Sequence, residues 1–176
     1  MERRNTMKKV AILLENFIEE VEFIYPYYRL KEEGWKVEII APEIKEYKGK
    51  NGLKFKPDKS IEETKAENYD ALFIPGGYAP DRWRRNKKII EFVRKMYQAN
   101  KPIAAICHGP WLLISAGIVK NKKATGFFSI AEDLKNAGAI YTNKPFEKDG
   151  NILTATDPKS MPLLLKEFIK TIKDLK

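Results

Sequence analysis

Cysteine, histidine and glutamine each occur once in the 176 residues, at Cys107, His108 and Gln98. A lone cysteine cannot close an internal disulfide, so nothing in the chain calls for an oxidising compartment. With one histidine and one cysteine, only carboxylates could complete a metal site, and no required cofactor or metal is expected. No apolar run approaches the roughly 18 residues that cross a bilayer. The start, Met1-Glu2-Arg3-Arg4-Asn5-Thr6, leads into no apolar stretch with a small-residue cleavage site, which argues against a signal peptide. These absences point to a cytoplasmic protein without a membrane partner. Repeats, linkers and low-complexity segments are also lacking. The expected organisation is a flexible extension over residues 1–6, with Met7 as an alternative start, and one domain over 7–176.

What is present is ordinary for a globular chain: 43% apolar and 32% charged residues, enough to build a substantial core. The formal charge is +9, from 33 Lys+Arg against 24 Asp+Glu. The basic residues are spread through the chain. The densest groups, Arg82-Trp83-Arg84-Arg85 with Lys87-Lys88 and Lys120-Asn121-Lys122-Lys123, are short and carry no nucleic-acid motif. A solvated Lys/Glu surface is the expectation, and no nucleic-acid partner. Abundant Lys and Glu with scarce Gln resemble thermophile usage.

Lys8 to Leu14 is a charged start followed by a continuous apolar run, the pattern of a strand buried on both faces. Val21 to Glu33 reads as a helix with an apolar stripe of Val21, Ile24, Tyr25, Tyr28 and Leu30, ended by Gly34; Pro26 falls early in it. Val37 to Pro42 is a second strand. Glu46 to Pro57 forms a hairpin around Asn51-Gly52. Ser60 and Glu63 make a capping box for a short helix. Tyr69 to Pro75 is a third strand, Lys87 to Ala99 a helix, Ile103 to Ile106 a fourth strand, and Ala139 to Tyr141 a fifth. Phe146 to Thr154 is a hairpin or a turn and strand. The last helix opens at Asp157-Pro158 or, given Pro162, later with Ser160 as cap. Strands alternating with helices predict an α/β domain on a mostly parallel sheet, with its site at the carboxyl ends of the strands.

Three polar features fall at such ends: Glu15 to Glu22, Gly76-Gly77, and Cys107-His108. Ala105, Cys107 and Gly109 give the small-x-nucleophile-x-small pattern of a sharp strand-to-helix elbow. The following helix, Trp111 to Ala116, should place the thiol at its N-terminus and lower its pKa. The His108 N–H and the Gly77 N–H are candidate oxyanion donors. His108, as the only histidine, must supply any imidazole chemistry. One acid among Glu15, Glu19, Glu20 and Glu22 could share a proton with the thiol, but the residues alone do not choose which.

Ala104-Ala105-Ile106-Cys107-His108-Gly109-Pro110, with Phe73-Ile74-Pro75-Gly76-Gly77 and Ile18 to Pro26, resembles the ThiJ/PfpI superfamily, closest to its archaeal-type intracellular protease I branch. The resemblance runs over nearly the whole chain from Met7. It implies a flavodoxin-like three-layer sandwich and homo-oligomers built from dimers, up to hexamers. It implies Cys107 as nucleophile, Glu19 as the acid beside it, and Gly77 and His108 as backbone oxyanion donors. It further implies Asp81, where relatives commonly carry Glu, as an acid reaching the histidine of a neighbouring subunit. Phe127-Phe128 stands where relatives often have Tyr-Pro. The first expectation is a cysteine hydrolase attacking a peptide carbonyl. A glutathione-independent glyoxalase or protein deglycase acting on small aldehydes is the alternative, and a redox-sensing stress protein is a third.

Overall fold

In chain order, the computed structural model, which describes residues 7–175, contains β1 (Lys9–Leu13), α1 (Glu20–Glu32), β2 (Lys36–Ala41), β3 (Tyr47–Lys48), β4 (Lys54–Phe55), β5 (Lys59–Ser60), β6 (Ala71–Ile74), α2 (Ala79–Trp83), α3 (Lys87–Gln98), β7 (Ile103–Ile106), α4 (Pro110–Ser115), β8 (Lys123–Ala124), α5 (Ala131–Asn136), β9 (Ile140–Tyr141), β10 (Phe146–Asp149), β11 (Ile152–Ala155) and α6 (Met161–Lys173). The extension expected over residues 1–6 lies outside the described residues.

The central sheet has seven strands in the order β10-β11-β7-β6-β1-β2-β5. Every pair is parallel except the β10–β11 hairpin. One row of the register runs Ile12, Phe73, Ala104, Leu153, each fully buried. Both faces are covered, which explains the unbroken apolar runs. Helices α1 and α6 pack together on one face, and α3 and α4 on the other. The result is the mixed, mostly parallel α/β sandwich of the flavodoxin-like class.

The direction of the sheet reverses beside β1. The chain leaves β1 for β2 on one side, while β6, β7 and β11 build outward on the other. Strand ends splay apart at such a switch point, so the carboxyl ends of β1, β6 and β7 border one crevice.

Several local expectations need correction. Of the apolar stripe assigned to α1, Leu30 is buried and Ile24 packs against the core, but Val21, Tyr25 and Tyr28 are exposed; the buried positions are Glu20, Glu22, Phe23, Pro26 and Leu30. Glu22, Pro26 and Leu30 are spaced four apart and form one inward row. Pro26 is the seventh residue of α1 rather than a first-turn residue, so the Glu22 carbonyl lacks its usual intrahelical donor. The segment Ala139 to Tyr141 does not join the central sheet; Ile140–Tyr141 pairs with Lys123–Ala124 in a separate two-stranded unit. The capping box at Ser60 and Glu63 is present, but it opens a single 3-10 turn. Of the two starts expected for α6 the later one holds: the helix begins after Ser160, and Asp157-Pro158 opens a 3-10 turn before it.

At the amino end of the sheet, far from the crevice, Glu38 on β2 is 4% exposed. It accepts the Tyr69 hydroxyl at 2.6 Å and meets Lys36 at 3.0 Å and Lys9 at 3.1 Å. Burial alone would raise this carboxyl, but these donors outweigh it and hold the pKa at about 2, against 4.5 for a free glutamate. The folded state therefore gains stability above pH 4.5 and loses it as the pH falls toward 2. Glu38→Gln should destabilise the protein by roughly 2–4 kcal/mol at neutral pH. Urea unfolding at several pH values should show that difference shrinking on acidification; a constant difference would mean the carboxylate's charge contributes nothing.

Candidate active site

The elbow after β7 is the centre of the crevice. Cys107 adopts a left-handed backbone with φ of 61°, a conformation a non-glycine residue holds only when its surroundings enforce it. Its N–H donates to the Ala155 carbonyl at 3.0 Å, and its carbonyl accepts the Phe127 N–H at 2.9 Å. These bonds clamp the strained residue from both sides. A Cβ at position 109 would lie 2.8 Å from the carbonyl oxygens of both Ile106 and Ile74, so only glycine permits the turn.

Gly76 and Gly77 bring the end of β6 against the elbow. A Cβ on Gly76 would fall 2.7 Å from the Cys107 Cβ and 3.0 Å from a Glu22 carboxylate oxygen. Gly77 has φ of 78° and pairs with Ile18 in an isolated antiparallel bridge. The Tyr78 N–H donates to the Phe17 carbonyl at 2.9 Å. The loop after β1 is thus stitched to the double glycine. The backbone N–H groups of Gly77 and His108 both face the Cys107 sulfur and favour its charged form. They are the two donors expected at an oxyanion pocket.

The acid beside the thiol is Glu22, not Glu19. Glu22 is fully buried, and neither carboxyl oxygen completes a hydrogen bond of ordinary length among the described residues. The polar groups it faces are the Cys107 thiol and the Gly76 N–H. Glu19 is the residue preceding α1, and its carboxylate turns outward to Lys50 at 3.0 Å. The difference is one helical turn: three residues later the chain points inward.

Burial pushes the Glu22 carboxyl up to about 8, helped by the charge of Glu19. Burial also pushes the Cys107 thiol up to about 12, helped by the charge of Glu22. The expectation of a lowered thiol pKa is not met. Helix α4 has only six residues, and its dipole does not offset removing the sulfur from water. The Glu22 charge raises the thiol, while the contact with the thiol partly opposes the rise of the carboxyl, so the two titrate as a pair. In such a pair the carboxyl keeps a proton that it can lend to a developing thiolate.

His108 folds back over its neighbour. Its Nδ1 lies 3.3 Å from the Cys107 Sγ and its Nε2 lies 3.2 Å from the Ser129 Oγ. The ring stacks on Phe127 and meets Trp111 edge-on. Burial, with the charge of Lys50, lowers its pKa from the usual value, and Asp133 partly opposes this. Imidazole is therefore neutral near pH 7 and able to accept a proton.

Asp81 lies on α2 and is exposed, with its carboxylate 3.5 Å from Arg85. Within this chain it does not touch His108. It borders a surface cleft of about 450 Å³ with Phe17, Tyr78, Arg82, Arg85 and Trp111. Lys50, Ser129 and Trp111 were not foreseen as site residues. Lys50 arrives on the β3–β4 hairpin, whose turn is fastened to the buried Glu20 carboxylate by the N–H groups of Asn51 at 2.8 Å and Leu53 at 3.1 Å. No sequence signal tied that hairpin to the site. Among the described residues, no three His, Cys, Asp or Glu side chains cluster as metal ligands, and no helix is long and apolar enough to cross a membrane.

The profile of the DJ-1/PfpI family matches residues 8–171. The chain belongs to the DJ-1/PfpI family. It is 42% identical to Deglycase PfpI of Pyrococcus furiosus over 165 residues, covering 94% of this chain and 99% of that protein. It is 35% identical to General stress protein 18 of Bacillus subtilis, covering 94% of this chain and 98% of that one. A two-domain Anabaena variabilis protein with DJ-1/ThiJ/PfpI-like and ferritin-like domains superposes with a TM-score of 0.92 at 39% identity, over 94% of this chain and 48% of its own. The fold is thus that of the DJ-1/PfpI family, and the name of the Pyrococcus furiosus relative is that of an enzyme.

Glu22 should reveal its protonation state through stability. In the fold it keeps its proton up to about 8, whereas unfolded it ionises near 4.5. A raised folded-state pKa gives stability that is full below the unfolded value and lost as pH rises through the folded one. Glu22→Gln removes that loss. Relative to wild type, the variant should gain a few kcal/mol, as order of magnitude, between about pH 5 and 8 in urea unfolding. A difference that does not change with pH would show that Glu22 is ionised in the fold.

Proposed function

We propose that this chain is a cysteine-dependent enzyme acting on the carbonyl of a reactive small aldehyde or of the adduct such an aldehyde forms on protein, the glyoxalase or deglycase type of reaction. The observation that carries this reading is the fully buried Glu22 carboxyl, which faces the Cys107 thiol while neither of its oxygens completes a hydrogen bond of ordinary length among the described residues. A peptidase needs a nucleophile, a base and an oxyanion pocket. It has no evident use for an uncharged carboxylic acid under the thiol. A reaction that moves a proton between adjacent carbons does. The name of the Pyrococcus furiosus relative supports the same choice.

For methylglyoxal the steps balance as follows. The Cys107 proton passes to His108 Nδ1, and sulfur forms a bond to the aldehyde carbon. The former carbonyl oxygen takes the negative charge opposite the N–H groups of Gly77 and His108, then a proton. A base removes the hydrogen from that carbon while the neighbouring ketone oxygen takes a proton, giving an enediol; a proton is then delivered to the neighbouring carbon as the hydroxyl on the sulfur-bearing carbon loses its own, which turns the hemithioacetal into a thioester. Glu22 and His108 are the two groups placed to exchange these protons. Water cleaves the thioester, giving lactate and the free thiol. No electrons enter or leave overall.

The reading includes a cytoplasmic homo-oligomer built from dimers, in which Asp81 approaches the His108 of a neighbouring subunit without displacing the Nε2 contact to Ser129. Asp81→Asn should then lower turnover several-fold, and unchanged kinetics would remove Asp81 from the site.

Wild type and Cys107→Ala should be given methylglyoxal and, separately, a fluorogenic peptide. Lactate should form with wild type, and the variant should lose roughly three orders of magnitude in kcat or more. Peptide cleavage without lactate would replace this reading with the peptidase. If neither substrate reacts while iodoacetamide labels Cys107 rapidly, the residue serves as a redox sensor.

A further inference from the structure

We propose that the Ser129 hydroxyl is the positioning group of His108, accepting a hydrogen bond from Nε2–H and so holding the tautomer whose bare Nδ1 faces the Cys107 thiol. The inference rests on the cysteine–carbonyl reading above and adds a residue to it.

The geometry is a short relay. Sγ to Nδ1 is 3.3 Å, and Nε2 to the Ser129 Oγ is 3.2 Å. Among the described residues, these two side chains are the hydrogen-bond partners of the ring nitrogens. The ring cannot swing away, because Phe127 stacks on it with centroids 5.1 Å apart and Trp111 meets its edge at 5.0 Å.

Ser129 is itself fixed. It lies in the 3-10 turn Phe128–Ile130. That turn is anchored to the elbow by the Phe127 N–H on the Cys107 carbonyl at 2.9 Å, and by the buried Ile130 side chain. The hydroxyl is thus carried by the same backbone that carries the nucleophile. Asp81 is turned to Arg85 and supplies nothing to the ring within the chain.

A hydroxyl can donate or accept, so chemistry must decide its direction here. The thiol proton has to go to an unprotonated ring nitrogen, and Nδ1 is the one within reach. Neutral imidazole then carries its proton on Nε2, and Oγ accepts it. When the proton moves from Sγ to Nδ1, Nε2–H is still a donor and Oγ is still its acceptor. The same contact serves both states without reorientation. A carboxylate in this place would add a charge and raise the imidazole pKa; a hydroxyl fixes orientation without doing so.

Because His108 is the only histidine, its ring nitrogens give the only imidazole signals in a 15N NMR spectrum, and the tautomer can be read without assignment. Wild type at a pH where the ring is neutral should show protonated Nε2 and bare Nδ1. Ser129→Ala should show a mixture of tautomers, a three- to tenfold loss in kcat with methylglyoxal, and a shifted pH profile; Ser129→Thr should restore all three. Wild type found mainly as the Nδ1–H tautomer, or a Ser129→Ala spectrum and pH profile equal to wild type, would overturn the proposal. If wild type makes no lactate, the functional reading fails, while the tautomer comparison still decides the role of Ser129.

Discussion

The structure around the crevice depends on one constraint: a carboxyl group and a thiol are enclosed together where three strand ends meet. Enclosure at this distance requires backbone without side chains between them. Gly76 provides it, since a methyl group there would overlap both the Cys107 side chain and the Glu22 carboxylate. Gly109 does the same beneath the turn, and Gly77 uses its left-handed backbone to aim an N–H at the sulfur. The strained φ of Cys107 belongs to the same arrangement. Strain of this kind persists only where surrounding bonds over-determine it, and here the Ala155 and Phe127 bonds do so.

The enclosure sets the electrostatics. A thiol at a solvated helix start is activated by losing its proton in advance. This thiol is buried, and its pKa is raised rather than lowered. Reactivity must then come from neighbours that act when a substrate is present: a neutral imidazole to take the proton, a carboxylic acid to stabilise the sulfur's charge, and two N–H groups. Lys50 adds a positive charge at the rim, where it pairs with Glu19 and helps keep His108 neutral.

Much of this was legible from the sequence, and the misses have one main cause. Continuous apolar runs mark the strands β1, β6 and β7 because both sheet faces are buried. The elbow was legible because a turn that tight admits only small residues at Ala105 and Gly109. The phase of α1 was not. Val21, Tyr25 and Tyr28 look like an inner stripe, yet they are exposed, and the true inner row begins with a charged residue, Glu22. A carboxylate counted as surface rotates the assigned face of the helix; the residues alone left four acids open, and the resemblance pointed to Glu19, one turn before the acid that faces the thiol. The functional residue was hidden because it breaks the rule that charges face water. Ser129 and Lys50 were illegible for another reason: both come from short segments whose placement is set by contacts distant in sequence, the Phe127–Cys107 bond and the capping of Asn51 and Leu53 by Glu20.

The buried acid also bears on why one fold could suit aldehydes better than peptides. A peptide carbonyl needs its leaving amine protonated at a point beyond the nucleophile, toward solvent, where His108 and Ser129 lie. Glu22 is on the opposite, inner side, fully buried against the elbow, so the part of a substrate nearest to it is the carbon bonded to sulfur. The two carbons of a small dicarbonyl differ in position by one bond length, so one fixed acid–base group can serve both if it changes protonation state readily. A carboxyl whose pKa is lifted to about 8 does so near neutral pH. The burial that destabilises the charged form of Glu22 is thus what makes it suited to both halves of the transfer, and the stability lost by enclosing it is recovered in the core of strands that hold it there.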